Sequence, residues 1–271
     1  MTPVDAILLA ILQGLTEFLP VSSSGHLVLG EAILGAIAIS NSIAFELVVH
    51  LGTFLAVILI FRKDIVDLIG NFGTHLLAPS GWQEAYNSDE KFKFSVLMIV
   101  AMLPAGIVGL LLRAQISTLF SEPFKVSLAL LITGSLLLST KYVKPAERGM
   151  NVKLAIAIGL AQALALIPGI SRSGSTISTA LLLGVRQDQA ARFSFLMVLP
   201  LILAATALEF FDLIAVGISN DQMFILGIGL FVSFIVGYFS LKWLLKLLRQ
   251  GQFHYFAWYC YLLAVVGILS F

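Results

Sequence analysis

The sequence predicts an all-α polytopic membrane protein, with six full transmembrane helices and two re-entrant helix pairs arranged as an inverted-topology repeat. Three observations carry that expectation: a scarcity of charge, two apolar stretches broken near their middles, and basic residues confined to one side.

Only 11% of the 271 residues are charged and 59% are hydrophobic. A soluble domain carries about 25% charged residues, so the solvent expected here is lipid. Nothing in so apolar a chain suggests a nucleic-acid partner. The one cysteine, Cys260, excludes an internal disulfide and an all-cysteine metal site, and reads as an ordinary apolar residue of the last helix. The start, Met1 to Asp5, has no basic region, so the first apolar stretch is expected to belong to the fold rather than to a cleaved signal.

A bilayer core needs about 20 apolar residues of helix. Residues 42–61, 94–113, 123–140, 193–217, 222–248 and 253–271 meet that length and are assigned as spans. The apolar stretches 5–35 and 152–185 are interrupted, by Leu19-Pro20-Val21-Ser22-Ser23-Ser24-Gly25-His26 in one and Pro168-Gly169-Ile170-Ser171-Arg172-Ser173-Gly174-Ser175-Thr176 in the other. Proline ends the incoming helix and the serines cap the outgoing one. Non-helical backbone at membrane depth survives only where protein or a wet cavity surrounds it, so each stretch is read as a helix pair entering and leaving on one face.

With that topology, one face receives every one of the 16 basic residues except Arg113, Lys125 and Arg172. The positive-inside rule makes that face cytoplasmic and puts both termini outside. Treating the broken stretches as full spans would instead set the basic residues of 62–93 opposite those of 141–153.

An offset of 149 residues aligns Gln13 with Gln162, Ser22 with Ser171, Ser24 with Ser173, Gly25 with Gly174, and Gly35 with Gly184. The chain is therefore read as one membrane domain, 1–271, with repeat halves of about 1–142 and 150–271. Each half holds a re-entrant pair and three spans, and an odd number of spans inverts the second half, as in transporter folds.

In such a repeat the two broken tips approach from opposite faces and meet near the midplane. Each opens a helix with a Ser/Gly-rich N-terminus, whose unpaired N–H groups and dipole favour an anion. Two of them converging call for a group with several negative oxygens, a phosphate or pyrophosphate. Arg172 is the basic residue set deep in an apolar stretch, where a bidentate phosphate would offset its burial; a structural ion pair with Glu17 is the alternative. Glu17, one turn after Gln13, suits a divalent cation shared with phosphate oxygens, magnesium first and calcium second. Ser23 is a candidate nucleophile, or only a helix cap, and His26, three residues on, a candidate acid or base, or a hydrogen-bonding strut. At the repeat offset Glu17, Ser23 and His26 face Leu166, Arg172 and Ser175, so one half brings acid, nucleophile and base, and the other the cation.

The run from Gln13 to His26 and the run from Pro168 to Thr176 resemble the two signatures of the undecaprenyl-pyrophosphate phosphatase family, also known as bacitracin resistance proteins. The resemblance extends over essentially the whole chain. It implies hydrolysis of a C55 polyprenyl pyrophosphate to the monophosphate carrier used for peptidoglycan, in the bacterial plasma membrane, with the site open to the outer face. It also implies roles: Glu17 with Gln13 for the metal, Ser23 as nucleophile, His26 as acid/base, and Arg172 with Ser22, Ser24, Gly25, Ser171, Ser173, Gly174 and Thr176 for the phosphates. Many members carry glutamate where this chain has Gln13, a weaker ligand. Whether serine or water attacks is open.

Glu46 and His50 form an i, i+4 pair in the first span and are expected to satisfy each other, with lining of the pocket as the alternative. Glu209 and Asp212 are expected to face interfacial water, and His75, His254 and the 64–92 loop to lie outside the membrane. The rival function is a carrier that flips the lipid monophosphate with the same anion site, since fold cannot separate the two. A nucleophile beside a base favours the enzyme. A homo-oligomer is compatible with the sequence.

Overall fold

The computed structural model describes residues 1–34, 43–76, 81–143, 148–216 and 220–271. Among them the chain is helical, without a named strand. The helices are α1 (Pro3–Thr16), α2 (Ser23–Leu34), α3 (Ile43–Ile60), α4 (Arg62–Leu76), α5 (Trp82–Ser88), α6 (Glu90–Leu111), α7 (Arg113–Leu119), α8 (Pro123–Ser139), α9 (Val152–Leu164), α10 (Arg172–Leu182), α11 (Gln187–Val216), α12 (Asn220–Arg249) and α13 (Phe256–Ser270).

Local chemistry sets many of the boundaries. Thr2 and Asp5 form a reciprocal capping box at α1, with Pro3 supplying a helical φ where no N–H is needed. Asn151 caps α9 and Ser171 caps α10. The Asp89 side chain accepts from the amides of Lys91 and Phe92, which starts α6 at Glu90, several residues before the expected 94.

Four helical stretches of the described residues are long and apolar enough to cross a membrane: Glu90–Leu111, Pro123–Tyr142, Gln222–Arg249 and Phe253–Ser270. Ala44–Ile60 and Arg62–Leu76 pass the same test together, bent by 80°. Their outward faces are apolar, with Leu110 81% and Leu269 82% exposed. Water would penalise that surface and lipid does not. Several apolar helices of this kind make a multi-pass membrane protein.

The 62–93 region departs from expectation, since most of it folds as α4 and α5 rather than as loop. α4 buries Leu68 and exposes Val66 and Ile69 among charged neighbours. Apolar side chains exposed among charged ones are the pattern of an amphipathic helix. Gly35 and Lys144 lie outside the described residues, as do the side chains of Glu209 and Asp212.

The core gathers around the first break. Phe18 packs edge-on against Phe195 of α11 at 5.8 Å, and Phe61 stacks on the same ring at 6.2 Å. Cys260 of α13 is fully buried as expected, its thiol directed at the Pro20 carbonyl.

Candidate functional site

Both breaks occur where the sequence places them, between α1 and α2 and between α9 and α10. Ser22 takes φ 66°, a left-handed conformation uncommon for a side chain of any size. Its hydroxyl accepts from the Gly25 amide at 3.2 Å, as Ser171 does from Gly174 at 3.1 Å. Each serine thus caps one helix start, satisfying one of the orphan amides and leaving others unpaired by side chains.

The two tips touch. Ser173 donates to the Leu19 carbonyl at 3.4 Å. Gly169, at φ +92°, approaches so closely that a Cβ on Gly25 would lie 3.3 Å from its Cα. Thr133 of α8 braces the second tip, donating to the Gly169 carbonyl at 2.8 Å and accepting from the Ser171 amide at 3.0 Å. A threonine inside an apolar helix gives no sequence signal of this role.

At the junction the Glu17 carboxylate is surrounded by donors. Arg172 Nη2 reaches Oε1 at 2.8 Å, while Oε2 accepts from Gln13 Nε2 and from Ser23 Oγ, each at 3.0 Å. The pair is largely buried, Glu17 at 9% and Arg172 at 17% side-chain exposure. Breaking such a pair from one side costs about 3–5 kcal/mol, because the other charge stays buried. Among the described residues Arg172 Nη1 is buried with no partner. An unpaired charged donor costs several-fold more than a typical hydrogen bond contributes, so the site is built for a further acceptor at that atom.

His50 of α3 joins this cluster. The pairing expected with the Glu46 side chain does not form. Nδ1 donates instead to the Glu46 backbone carbonyl at 2.8 Å, and Nε2 faces Glu17 Oε2 at 3.8 Å. The i, i+4 spacing put the ring above the right residue, but the helix carbonyl captured it.

His26 is not brought to Ser23. Its Nδ1 donates to the Ser22 carbonyl at 2.8 Å, and its Nε2 pairs with the Tyr259 hydroxyl at 2.7 Å, the rings stacked 5.6 Å apart. The left-handed turn at Ser22 leaves that carbonyl one helical turn below His26, so the ring closes on it while Ser23 points to Glu17. The expected Ser23–His26 pair is corrected to Ser23–Glu17 and His26–Tyr259. Tyr259, on the last helix, was not legible as a site residue.

The remaining phosphate candidates divide. Ser22 and Ser24 lie hydroxyl to hydroxyl at 3.2 Å, and Ser171 and Ser173 at 3.3 Å, flanking the junction. Thr176 turns away, donating to the Arg172 carbonyl at 2.8 Å and sharing a hydrogen bond with Ser194 of α11. Its hydroxyl supports α10 instead of facing the carboxylate cluster.

Among the described residues no cluster of three or more His, Cys, Asp or Glu side chains could hold a metal. Glu17 and the Ser23 hydroxyl offer oxygens to a hard cation completed by substrate oxygens, and Gln13, which turns its amide nitrogen to Glu17, would have to rotate its amide to join them.

The sequence pattern of the family described as "Bacitracin resistance protein BacA" matches residues 6–266. The chain is 38% identical over 268 residues to the undecaprenyl-diphosphatase of Salinibacter ruber, with 99% of each chain covered. It is 41% identical over 269 residues to that of Christiangramia forsetii (98% of this chain, 97% of the relative) and 42% over 266 residues to that of Korarchaeum cryptofilum (97% and 96%). With both breaks inside the matched region, the chain belongs to the bacitracin resistance protein BacA family.

Proposed function

We propose that this protein is a membrane phosphatase that hydrolyses undecaprenyl pyrophosphate to undecaprenyl phosphate and inorganic phosphate. One observation carries the reading beyond the relatives' names: Arg172 Nη1, buried and unpartnered, beside two Ser-capped helix N-termini. A free guanidinium nitrogen at the start of α10 and the capped start of α2 both favour an anion, which supports a phosphate-bearing substrate.

Phosphoryl transfer needs positioning and charge stabilisation more than covalent chemistry from the protein. Arg172 holds Glu17 with one nitrogen and presents the other to a phosphate oxygen. Ser23 is the nucleophile in the covalent version. Its hydroxyl already donates to Glu17 Oε2, the group that would take its proton. The Ser23 oxygen–phosphorus bond forms as the bridging oxygen leaves with the polyprenyl monophosphate, and water then releases the phosphate. In the second version water attacks directly, held by the same carboxylate. His26, tied at both ring nitrogens, holds the tip in shape. Glu17 and Gln13 would hold a divalent cation, magnesium before calcium, which when bound supplies charge neutralisation at the phosphate oxygens.

The topology proposed is six spans with two re-entrant pairs, inverted between halves 1–142 and 150–271. Helix pairing supports it. α1 packs on α12 and α9 on α6, α3 on α12 and α11 on α6, and α8 on α13, which is the exchange a two-fold between the halves would produce. The protein would sit in the bacterial plasma membrane with both termini outside and the site open to the outer face. No feature of the junction favours the carrier, which has no use for a hydroxyl held on a carboxylate.

The test is phosphate release from a C55 polyprenyl pyrophosphate by detergent-purified protein, with magnesium and with chelator. Release that chelator stops, and that folded Glu17→Ala and Arg172→Ala variants lack, is the expected result. Absence of release from the intact protein would end the phosphatase reading.

A further inference from the structure

His50 has no place in the roles assigned so far, yet it sits at the carboxylate. Its Nδ1 faces a backbone carbonyl, that of Glu46, at 2.8 Å. A carbonyl only accepts, so Nδ1 carries the proton and neutral His50 has its lone pair on Nε2. Nε2 lies 3.8 Å from Glu17 Oε2, an oxygen that already accepts from Gln13 and Ser23. Two acceptors facing one another call for a positive charge between them. The gap is too long for a good hydrogen bond. One cation can bridge it, since two bonds of about 2.1 Å reach at most about 4.2 Å. A ring nitrogen fixed by donation of its neighbour to a backbone carbonyl is also how metal-binding histidines are oriented.

We propose that His50 Nε2 is a cation ligand that bridges with Glu17 Oε2, so that this site takes a borderline transition-metal ion, manganese(II) above magnesium and calcium. The inference rests on the phosphatase reading only for what the cation does, not for where it binds. Imidazole favours later first-row ions, whereas magnesium and calcium take oxygen. The nitrogen also supplies donor strength that a single carboxylate and a glutamine lack. A half-turn of the Gln13 amide would present its oxygen to the same ion.

The experiment adds manganese(II) alone to the purified full chain in detergent and reads pulsed electron paramagnetic resonance, which detects nitrogen bound directly to the ion. The expected result is a nitrogen coupling in the wild type that His50→Gln abolishes, with the dissociation constant for manganese(II) rising about tenfold or more. His50→Ala, checked by circular dichroism and size exclusion, should match His50→Gln. Manganese bound without nitrogen coupling overturns the proposal, as does the absence of manganese binding or an affinity indifferent to both substitutions. The last result is what a metal-free imidazolium–Glu17 pair would give. Phosphate release from polyprenyl pyrophosphate in magnesium separates the two failures: release without nitrogen coupling removes the His50 ligand alone, and no release removes the phosphatase.

Discussion

Arg172 Nη2 donates to Glu17 Oε1 across 2.8 Å, joining residues 155 positions apart on two different helix breaks. The bond ties the two helix breaks together. It also leaves Nη1 of the same guanidinium unpaired, so one side chain both closes the fold and opens the site.

Arg172→Lys keeps the charge and loses the fork. A lysine cannot bond Glu17 and a phosphate oxygen from two nitrogens, so phosphate release should fall by about a hundredfold, on the order of 3 kcal/mol of barrier. Arg172→Ala should also cost about 3–5 kcal/mol of stability by stranding Glu17. The double variant Glu17→Gln with Arg172→Met should regain much of the thermal midpoint and none of the activity. Parallel melting and phosphate-release measurements separate the two roles.

Neighbouring serines should differ sharply. Ser23 donates to Glu17, whereas Ser24 contacts the Ser22 hydroxyl. Ser23→Ala should reduce turnover by about two to three orders of magnitude if serine attacks, and Ser24→Ala by less than tenfold. A rapid-quench search for a phosphoserine burst decides it: near-normal turnover by Ser23→Ala removes the covalent version.

The His26–Tyr259 bond should act as a unit. Tyr259→Phe removes the hydroxyl that reaches His26 Nε2 and should cost about 1 kcal/mol of stability. His26→Ala should cost more, and the double variant little beyond His26→Ala alone. A double-mutant cycle that comes out additive would deny the coupling.

Gly169→Ala should destabilise by more than about 1–3 kcal/mol. The residue sits at φ +92°, and its Cβ would press on the Val126 carbonyl and Ala129 of α8. Thermal unfolding in detergent measures this directly, and a neutral result would mean that α8 yields at the tip.

Outside the membrane-spanning segments, the Asn71 side chain beside Asp89 holds its carboxyl down at about 2, from 3.8. The folded form therefore loses its last proton more readily than the unfolded chain. The stabilisation is fully present above about pH 4 and fades as pH falls toward 2. Hydrogen exchange across α4 and α5 should accelerate over that window, and Asn71→Ala should move the onset upward.

Much of the site was legible in the sequence because its signals are local. Pro20, Ser22 and Gly25 break one helix and cap the next through contacts no more than a few residues away, and the same holds for Gly169, Ser171 and Gly174. Arg172 and Glu17 announced themselves as charges in apolar stretches. The partnerships were less legible. His26 lies three residues from Ser23, but a carbonyl from the turn and a hydroxyl from α13 claimed its ring. Thr176 shares the serine-rich run with Ser173 yet belongs to the packing against Ser194.

The sequence by itself determined the lipid environment, the helix boundaries at the two breaks and the anionic character of the ligand. Those follow from composition, capping and charge, which act over one or two turns of chain. Only the tertiary structure decided that Ser23 bonds Glu17, that Tyr259 holds His26, and that His50 turns toward the carboxylate. Each of those depends on where a distant helix lies to within about an ångström, because a hydrogen bond fails beyond that tolerance and no local pattern encodes it.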